Sequence, residues 1–316
     1  MKVLSLFDGI SCARVALERV GIPVEEYYAS EIDNYAIEVS KKNWPEIIYL
    51  GCVKNISIEK PACVRPTITG EIDINLLIGG SPCQDLSIAK KNRKGLEGDR
   101  SGLFWEYVRI LNEIKPKYFI LENVASMPKE AKELISKTLG VEPIMINAGL
   151  VSAQNRKRLF WVGKINDRGG YEQIQIDQPE DRGILLKDIL QKNVKDDMPE
   201  NYIKWLTSSS GQRRIEKGFI KINPEKAKGL MARNYANWSG NLFIQYRRGN
   251  WRNTETGKVP TLTANNGIRK LTPIECERLQ GLPDNYTEGV LNTQRYKCLG
   301  NAFNVDVVAH ILSFIK

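Results

Sequence analysis

The sequence predicts an α/β fold, a doubly wound and mostly parallel sheet joined to a smaller irregular domain, and three observations carry that expectation. Short apolar runs alternate with amphipathic segments from residue 3 to residue 162. The alternation stops after about Gly163, and helical spacing returns from Leu271. Strands alternating with helices pair in parallel beneath helices on both faces, with ligands bound beyond the carboxyl ends of the strands. The first domain is therefore expected over 1–164 and 271–316, discontinuous in sequence, and the second over 165–270.

Strands are expected at 3–7, 27–30, 47–50, 74–78, 118–121, 143–146 and 159–162. Between several of them, 12–20, 35–42, 103–114 and 130–139 repeat apolar residues at helical spacing. Residues 164–266 are polar and broken by Gly, Pro, Asn and Ser. Thr272-Pro273-Ile274-Glu275 reads as a helix start, with a Thr cap, Pro at the first position and an acid in the first turn. The last helix, 303–315, is apolar over much of its surface and is expected to pack back on the first domain.

Composition narrows the function classes. The chain has 316 residues, 42% apolar and 26% charged, with 46 Lys+Arg against 37 Asp+Glu and a net charge of +9. That is globular composition and excludes a disordered, collagenous or disulfide-stapled chain. No run approaches the roughly 20 apolar residues of a membrane span, and an acid at Asp8 comes too early for a signal peptide, so a cytoplasmic protein is expected. Six cysteines lacking a C-x-x-C pair argue against a disulfide framework and a structural zinc site. His310 is the single histidine and lies in the apolar terminal helix, where a packing or surface role is expected. Nucleophilic chemistry must then run without histidine, which removes Ser-His-Asp and Cys-His hydrolysis.

The excess charge is local. Residues 167–200 hold five basic and nine acidic residues, whereas 204–258 hold twelve basic and three acidic, matching the excess of the whole chain. Arg213, Arg214, Arg233, Arg247, Arg248 and Arg252 are interleaved there with Trp238, Phe243, Tyr246 and Trp251. Such a run is either a solvated face or a surface for a phosphate backbone and base edges.

Four strand ends carry chemistry. The first gives Phe7-Asp8-Gly9-Ile10-Ser11, with one glycine where a dinucleotide site places three. Gly9 with Glu31, at the end of the second strand, reads equally as a turn glycine plus a helix-start acid or as an adenosine site whose ribose hydroxyls meet a carboxylate. The fourth strand runs into Gly79-Gly80-Ser81-Pro82-Cys83-Gln84, placing Cys83 on a tight turn at the ligand edge. The fifth delivers Glu122, a helix cap or a working carboxylate. Gln154-Asn155-Arg156-Lys157-Arg158 opens another strand, so Arg156 and Arg158 are expected to point the same way. A thiol, a carboxylate and two guanidiniums suit addition to an electron-poor ring whose nitrogen the acid protonates or hydrogen-bonds.

These motifs, with Glu122-Asn123-Val124 and Gly300-Asn301-Ala302, fall in the order and spacing of the DNA cytosine-5 methyltransferases, which the chain resembles through nearly its whole length. Ser81 before Pro82-Cys83, and Phe7-Asp8-Gly9-Ile10, bring it nearest the branch holding animal de novo methyltransferases and many phage enzymes. The resemblance implies the S-adenosylmethionine-dependent methyltransferase fold with a target-recognition domain, double-stranded DNA as partner, no metal, and a monomer acting in a bacterial or phage-infected cell. It implies a flipped cytosine, Cys83 adding to C6, Glu122 at N3 and the exocyclic amine, and Arg158 with Arg156 at the O2 side. For S-adenosylmethionine it implies Phe7, Asp8, Gly9 and Ile10 in the first loop, Glu31 at the ribose and Ile32 at the adenine. Cys52 and Val53 follow at the adenine edge, Pro82 and Leu103 at the pocket floor, and Asn301 and Ala302 at the methionine end.

For DNA, the basic, glycine-punctuated segment 87–102 is either a loop that closes over the duplex or a flexible surface loop. It and the turn before it offer Gln84, Ser87, Lys90, Lys91 and Arg93, while Arg233, Arg247, Arg248 and Arg252 are expected in the major groove. Ser11 stands where many members have glycine. Cys52 stands where the family usually has an aspartate accepting from the adenine amine, a loss of about 1.5–3 kcal/mol of cofactor binding. Three rival readings follow: a cytosine-modifying enzyme using a variant cofactor, a catalytically inactive DNA-binding accessory protein, and a transfer-RNA methyltransferase. The last is disfavoured because its Pro-Pro-Cys and Cys-Phe-Thr motifs are missing from the sequence.

Overall fold

The computed structural model describes residues 1–57, 73–81, 102–192, 194, 199–233, 241–245 and 267–315, with 241–245 and 267 described by their backbone. The first half runs β1 (Lys2–Leu6), α1 (Cys12–Arg19), β2 (Glu26–Ser30), α2 (Asn34–Asn43), β3 (Ile48–Tyr49), β4 (Leu76–Gly79), α3 (Leu103–Ile114), β5 (Tyr118–Val124), α4 (Lys129–Leu139) and β6 (Ile144–Asn147). It continues through β7 (Gln154–Asn155), β8 (Lys157–Ile165), β9 (Tyr171–Gln173), α5 (Leu186–Ile189), α6 (Glu200–Thr207), α7 (Ser209–Glu216) and β10 (Lys221–Ile222). The last elements are β11 (Ala227–Lys228), β12 (Asn241–Gln245), β13 (Gly267–Lys270), α8 (Pro273–Leu279), α9 (Asn292–Asn301) and α10 (Val305–Leu312).

Two compact units result. The first comprises Met1–Asn147, Lys157–Pro179 and Phe303–Lys316. Its sheet has the order β3-β2-β1-β4-β5-β8-β6, with β9 paired to β8. β1 to β5 are parallel, and β8 runs antiparallel to β5, β6 and β9. The apolar run at 159–162 is thus the centre of a nine-residue antiparallel strand, a direction that local periodicity does not encode.

The strands are apolar on both faces because helices cover both. Leu4, Leu6, Leu77, Phe119, Leu121 and Trp161 are fully buried in one core with Phe104, Tyr107 and Ile110 of α3. At nearly 25 cal/mol for each Å² of apolar surface removed from water, this layer dominates the stability of the unit. The α10 helix packs on α1, and Arg19 Nη1 meets Asp306 Oδ1 at 2.9 Å beside that contact. His310, on α10, holds the Asp177 carbonyl at 2.7 Å and stacks edge-on to Phe314, a structural role.

The second unit comprises Ala148–Arg156 and Glu180–Ala302. Within the stretch that reads as irregular, α6 and α7 pack over Leu206, Ile220 and Ile268, and β12 pairs in parallel with β10 and antiparallel with β13. A Cβ at Gly211 would lie 2.3 Å from the Trp205 carbonyl, so only glycine lets α6 and α7 turn so tightly. These elements have eight residues or fewer, too short for a periodicity to stand out. Thr272 caps α8 as its sequence predicts: its hydroxyl accepts from Glu275 N at 3.2 Å and Glu275 Oε2 accepts from Thr272 N at 2.9 Å. Among the described residues no helix is long and apolar enough to cross a membrane.

Candidate active site

The parallel register builds the site. Leu6 is level with Ser30 and with Gly79, and Gly79 is level with Leu121. One residue further along each strand come Glu31, Phe7, Gly80 and Glu122, side by side across β2, β1, β4 and β5. With strands about 4.8 Å apart, the row is about 14 Å wide, the scale of a nucleoside-containing ligand.

At one end, Glu31 is pinned by backbone amides. Its Oε2 accepts from Gly9 N at 2.8 Å, and its Oε1 accepts from Ile32 N at 2.7 Å and Asp33 N at 2.9 Å. A carboxylate offers about four acceptor sites, so capacity remains for a ligand hydroxyl. Ile32 is 71% exposed, an apolar side chain left uncovered beside that carboxylate. Phe7 and Leu103 are half-buried against the core, and Ile10 and Val53 are buried. Cys52 begins a short 3-10 turn after Gly51, whose carbonyl accepts from Ser30 Oγ at 2.8 Å and so lies at the end of β2. The Arg109 guanidinium of α3 holds that turn through the carbonyls of Val53 and Ile56, each at 3.2 Å. An apolar face beside a carboxylate with spare acceptors suits the adenosine part of S-adenosylmethionine.

Asp8 does not present its carboxylate to this surface. It is buried and accepts from Tyr27 Oη at 2.7 Å and Ser11 Oγ at 2.5 Å. Burial pushes its carboxyl above the usual range, against the opposing pull of these hydroxyls.

At the other end, Glu122 Oε1 meets Arg158 Nε at 2.7 Å, with the two side chains 14% and 21% exposed. Glu122 is level with Phe160 and Val124 with Arg158, so Glu122 and Arg158 are diagonal neighbours on one face of the sheet. A Cβ at Gly80 would lie 3.0 Å from Glu122 Oε2 and 2.8 Å from Phe303 Cε1, so glycine is what lets the carboxylate approach. Buried Asn123 donates to Ser81 Oγ at 3.2 Å, fixing the backbone as it leaves β4. Sequence reasoning missed Phe303 and Arg109, since each acts on segments remote in sequence.

Arg156 departs from the expected alternation. The strand breaks at this residue: β7 pairs with β11, whereas β8 pairs with β5 and β6. Arg156 is buried in the second unit, donating to the carbonyls of Leu230 at 2.7 Å, Gly300 at 3.1 Å and Ala302 at 2.9 Å. Arg158 alone is brought to Glu122. Gln154 belongs to the same buried network, its amide donating to the Leu279 carbonyl at 2.6 Å and to Gln280 at 2.9 Å. Asn301 is exposed at the end of α9, and Ala302 is buried.

Arg233 is exposed. Cys83, Pro82, Gln84, Ser87, Lys90, Lys91, Arg93, Arg247, Arg248 and Arg252 lie outside the described residues, as does most of the loop at 87–102. A further feature of the second unit escaped the sequence reading. Phe219, 50% exposed, has the Arg214 guanidinium and the Lys228 ammonium each 5.7 Å from its ring centre.

The family description C-5 cytosine-specific DNA methylase matches residues 1–316. The chain belongs to that family. Among curated relatives, the type II methyltransferase M1.ScrFI of Lactococcus lactis subsp. cremoris is 30% identical over 97% of this chain and 76% of its own length. The orphan methyltransferase M.SPRI of Bacillus phage SPR is 29% identical over 89% of this chain and 68% of its own. The solved Entamoeba histolytica methyltransferase EhMeth superposes with a TM-score of 0.72 at 19% identity, covering 99% of this chain and 97% of that one, a likeness of fold. The chain is thus a DNA cytosine-5 methyltransferase on the α/β architecture its sequence predicts.

Proposed function

We propose that this cytosine-5 methyltransferase modifies a short double-stranded DNA sequence by way of a transient covalent bond between Cys83 and C6 of a flipped-out cytosine. The observation that carries the reading is the Glu122–Arg158 pair, which stands in the same edge row as Glu31 and beside Gly80, three residues before Cys83 in sequence. The pair takes Glu122 Oε1 and leaves Oε2 toward Gly80.

In this reading the Cys83 thiolate adds to C6, and Glu122 holds the N3 and exocyclic amine side of the ring, favouring the addition. Arg158 fixes the carboxylate and faces the O2 side of the ring. C5 then carries the nucleophilic charge, and loss of its proton after methylation expels Cys83. Bound S-adenosylmethionine supplies the methyl group. Phe7, Gly9, Ile10, Glu31, Ile32, Cys52, Val53, Pro82, Leu103, Asn301 and Ala302 would hold it. The DNA contacts proposed are Gln84, Ser87, Lys90, Lys91, Arg93, Arg233, Arg247, Arg248 and Arg252, with the cation-flanked Phe219 as an added contact. Extruding the base is required because its ring atoms are unreachable inside the stack.

The test is bisulfite sequencing of plasmid DNA from cells expressing the wild-type chain or Cys83→Ala. Protected cytosines in one short context, lost in the variant, are expected. Protection that survives Cys83→Ala overturns the covalent route, and none with either chain despite DNA binding points to an accessory protein.

A further inference from the structure

Three residues within five, Phe7, Gly9 and Ser11, have left-handed backbone, with φ of 58°, 61° and 57°. Glycine adopts this conformation freely, but phenylalanine and serine do so only at a cost, so something must hold the loop. A buried chain of polar side chains does. Tyr27 Oη donates to Asp8 Oδ1 and Ser11 Oγ donates to Asp8 Oδ2. With the Ser11 hydrogen committed, Ser40 must donate to Ser11 Oγ, 2.5 Å away.

Asp8, Ser11, Tyr27 and Ser40 are all buried, and they tie the loop to β2 and α2. Asp8 N also donates to the Ser30 carbonyl at 3.1 Å and Ser11 N to the Asp8 carbonyl at 3.2 Å. On the other side of the same short loop, the Gly9 amide meets Glu31.

We propose that Asp8 and Ser11 are positioning residues for the methyl donor: the buried chain Ser40–Ser11–Asp8–Tyr27 sets the left-handed loop whose Gly9 amide orients Glu31. This rests on the reading that the loop binds S-adenosylmethionine. Serine at position 11, where glycine is common in the family, then trades backbone ease for a hydroxyl that anchors Asp8.

Titration calorimetry with S-adenosylhomocysteine, read beside the Tm of each ligand-free protein, tests the role. Ser11→Ala keeps the strained backbone and loses the anchor, and Tyr27→Phe removes one donor with little loss of packing. Both are expected to weaken binding by about five- to tenfold. The KM for the methyl donor should rise with kcat and the KM for DNA held. Ser11→Gly, which relieves the strain, should recover part of the affinity lost by Ser11→Ala. Affinities of Ser11→Ala and Tyr27→Phe within twofold of wild type, whatever their Tm, overturn the proposal. A wild-type chain that binds no S-adenosylhomocysteine instead overturns the reading beneath it, and the positioning role falls with it.

Discussion

The role proposed for Glu122, holding one edge of a flat ring, requires the orientation of its carboxylate to be fixed, and one guanidinium and one missing side chain are placed to do this. Arg158 presents a planar fork that lysine cannot reproduce. Arg158→Lys is therefore expected to lower the single-turnover methylation rate by at least about tenfold, and Arg158→Ala by about 10²-fold, the usual effect of about 1 Å of misplacement. Binding of S-adenosylhomocysteine should be retained in both, and rates equal to wild type would show that the pair does not orient the acid. The acids at this edge could be singled out in the sequence because each directly follows a short, mostly apolar run, where a charge has no packing reason to be. The buried role of Asp8 could not, since Tyr27, which donates to it, and Ser40, which bonds its partner Ser11, lie 19 and 32 residues beyond it in sequence.

At the scale of elements, parallel strands and their helices could be read from periodicity because each buries a continuous apolar run. The breaking of one expected strand into β7 and β8 could not, because side chains alternate only while a strand keeps the same partners, and the partners change at Arg156. The Gln-x-Arg pair there is a scaffold for the second unit. Gln154 and Arg156 tie Leu230, Leu279, Gln280, Gly300 and Ala302 together in a buried network. Gly300 is held as closely, since a Cβ on it would lie 2.2 Å from the Met231 backbone. Arg156→Met would leave three carbonyls without this donor, at about 1–3 kcal/mol for each that finds no other. Its expected signature is a Tm lowered by several degrees. Methylation per folded molecule, measured well below that Tm, should change less than in Arg158→Lys. An Arg156→Met protein with wild-type Tm and lost activity would instead return Arg156 to the chemistry.

For the whole molecule, the net charge of +9 is concentrated in 204–258, so the chain is not a uniformly basic particle. In the proposed DNA contact, attraction is expected from counterion release at a limited set of phosphates, with the logarithm of the binding constant falling by about 0.9 per contacted phosphate for each tenfold rise in salt. Within that stretch α7 and the turn after it expose Arg213, Arg214 and Lys217, and the uncovered Phe219 ring is flanked by Arg214 and Lys228. If Arg214 meets a phosphate, Arg214→Ala should reduce the salt slope by about 1 and weaken all duplex sequences alike. Phe219→Ala should leave the slope intact and weaken binding by another route, since an aromatic ring carries no counterion term. Fluorescence anisotropy with one duplex carrying the methylated context and one lacking it, across a salt series, reads both quantities. An unchanged slope in Arg214→Ala would place that guanidinium in solvent, and an unchanged affinity in Phe219→Ala would reduce the ring to a support for its two cations.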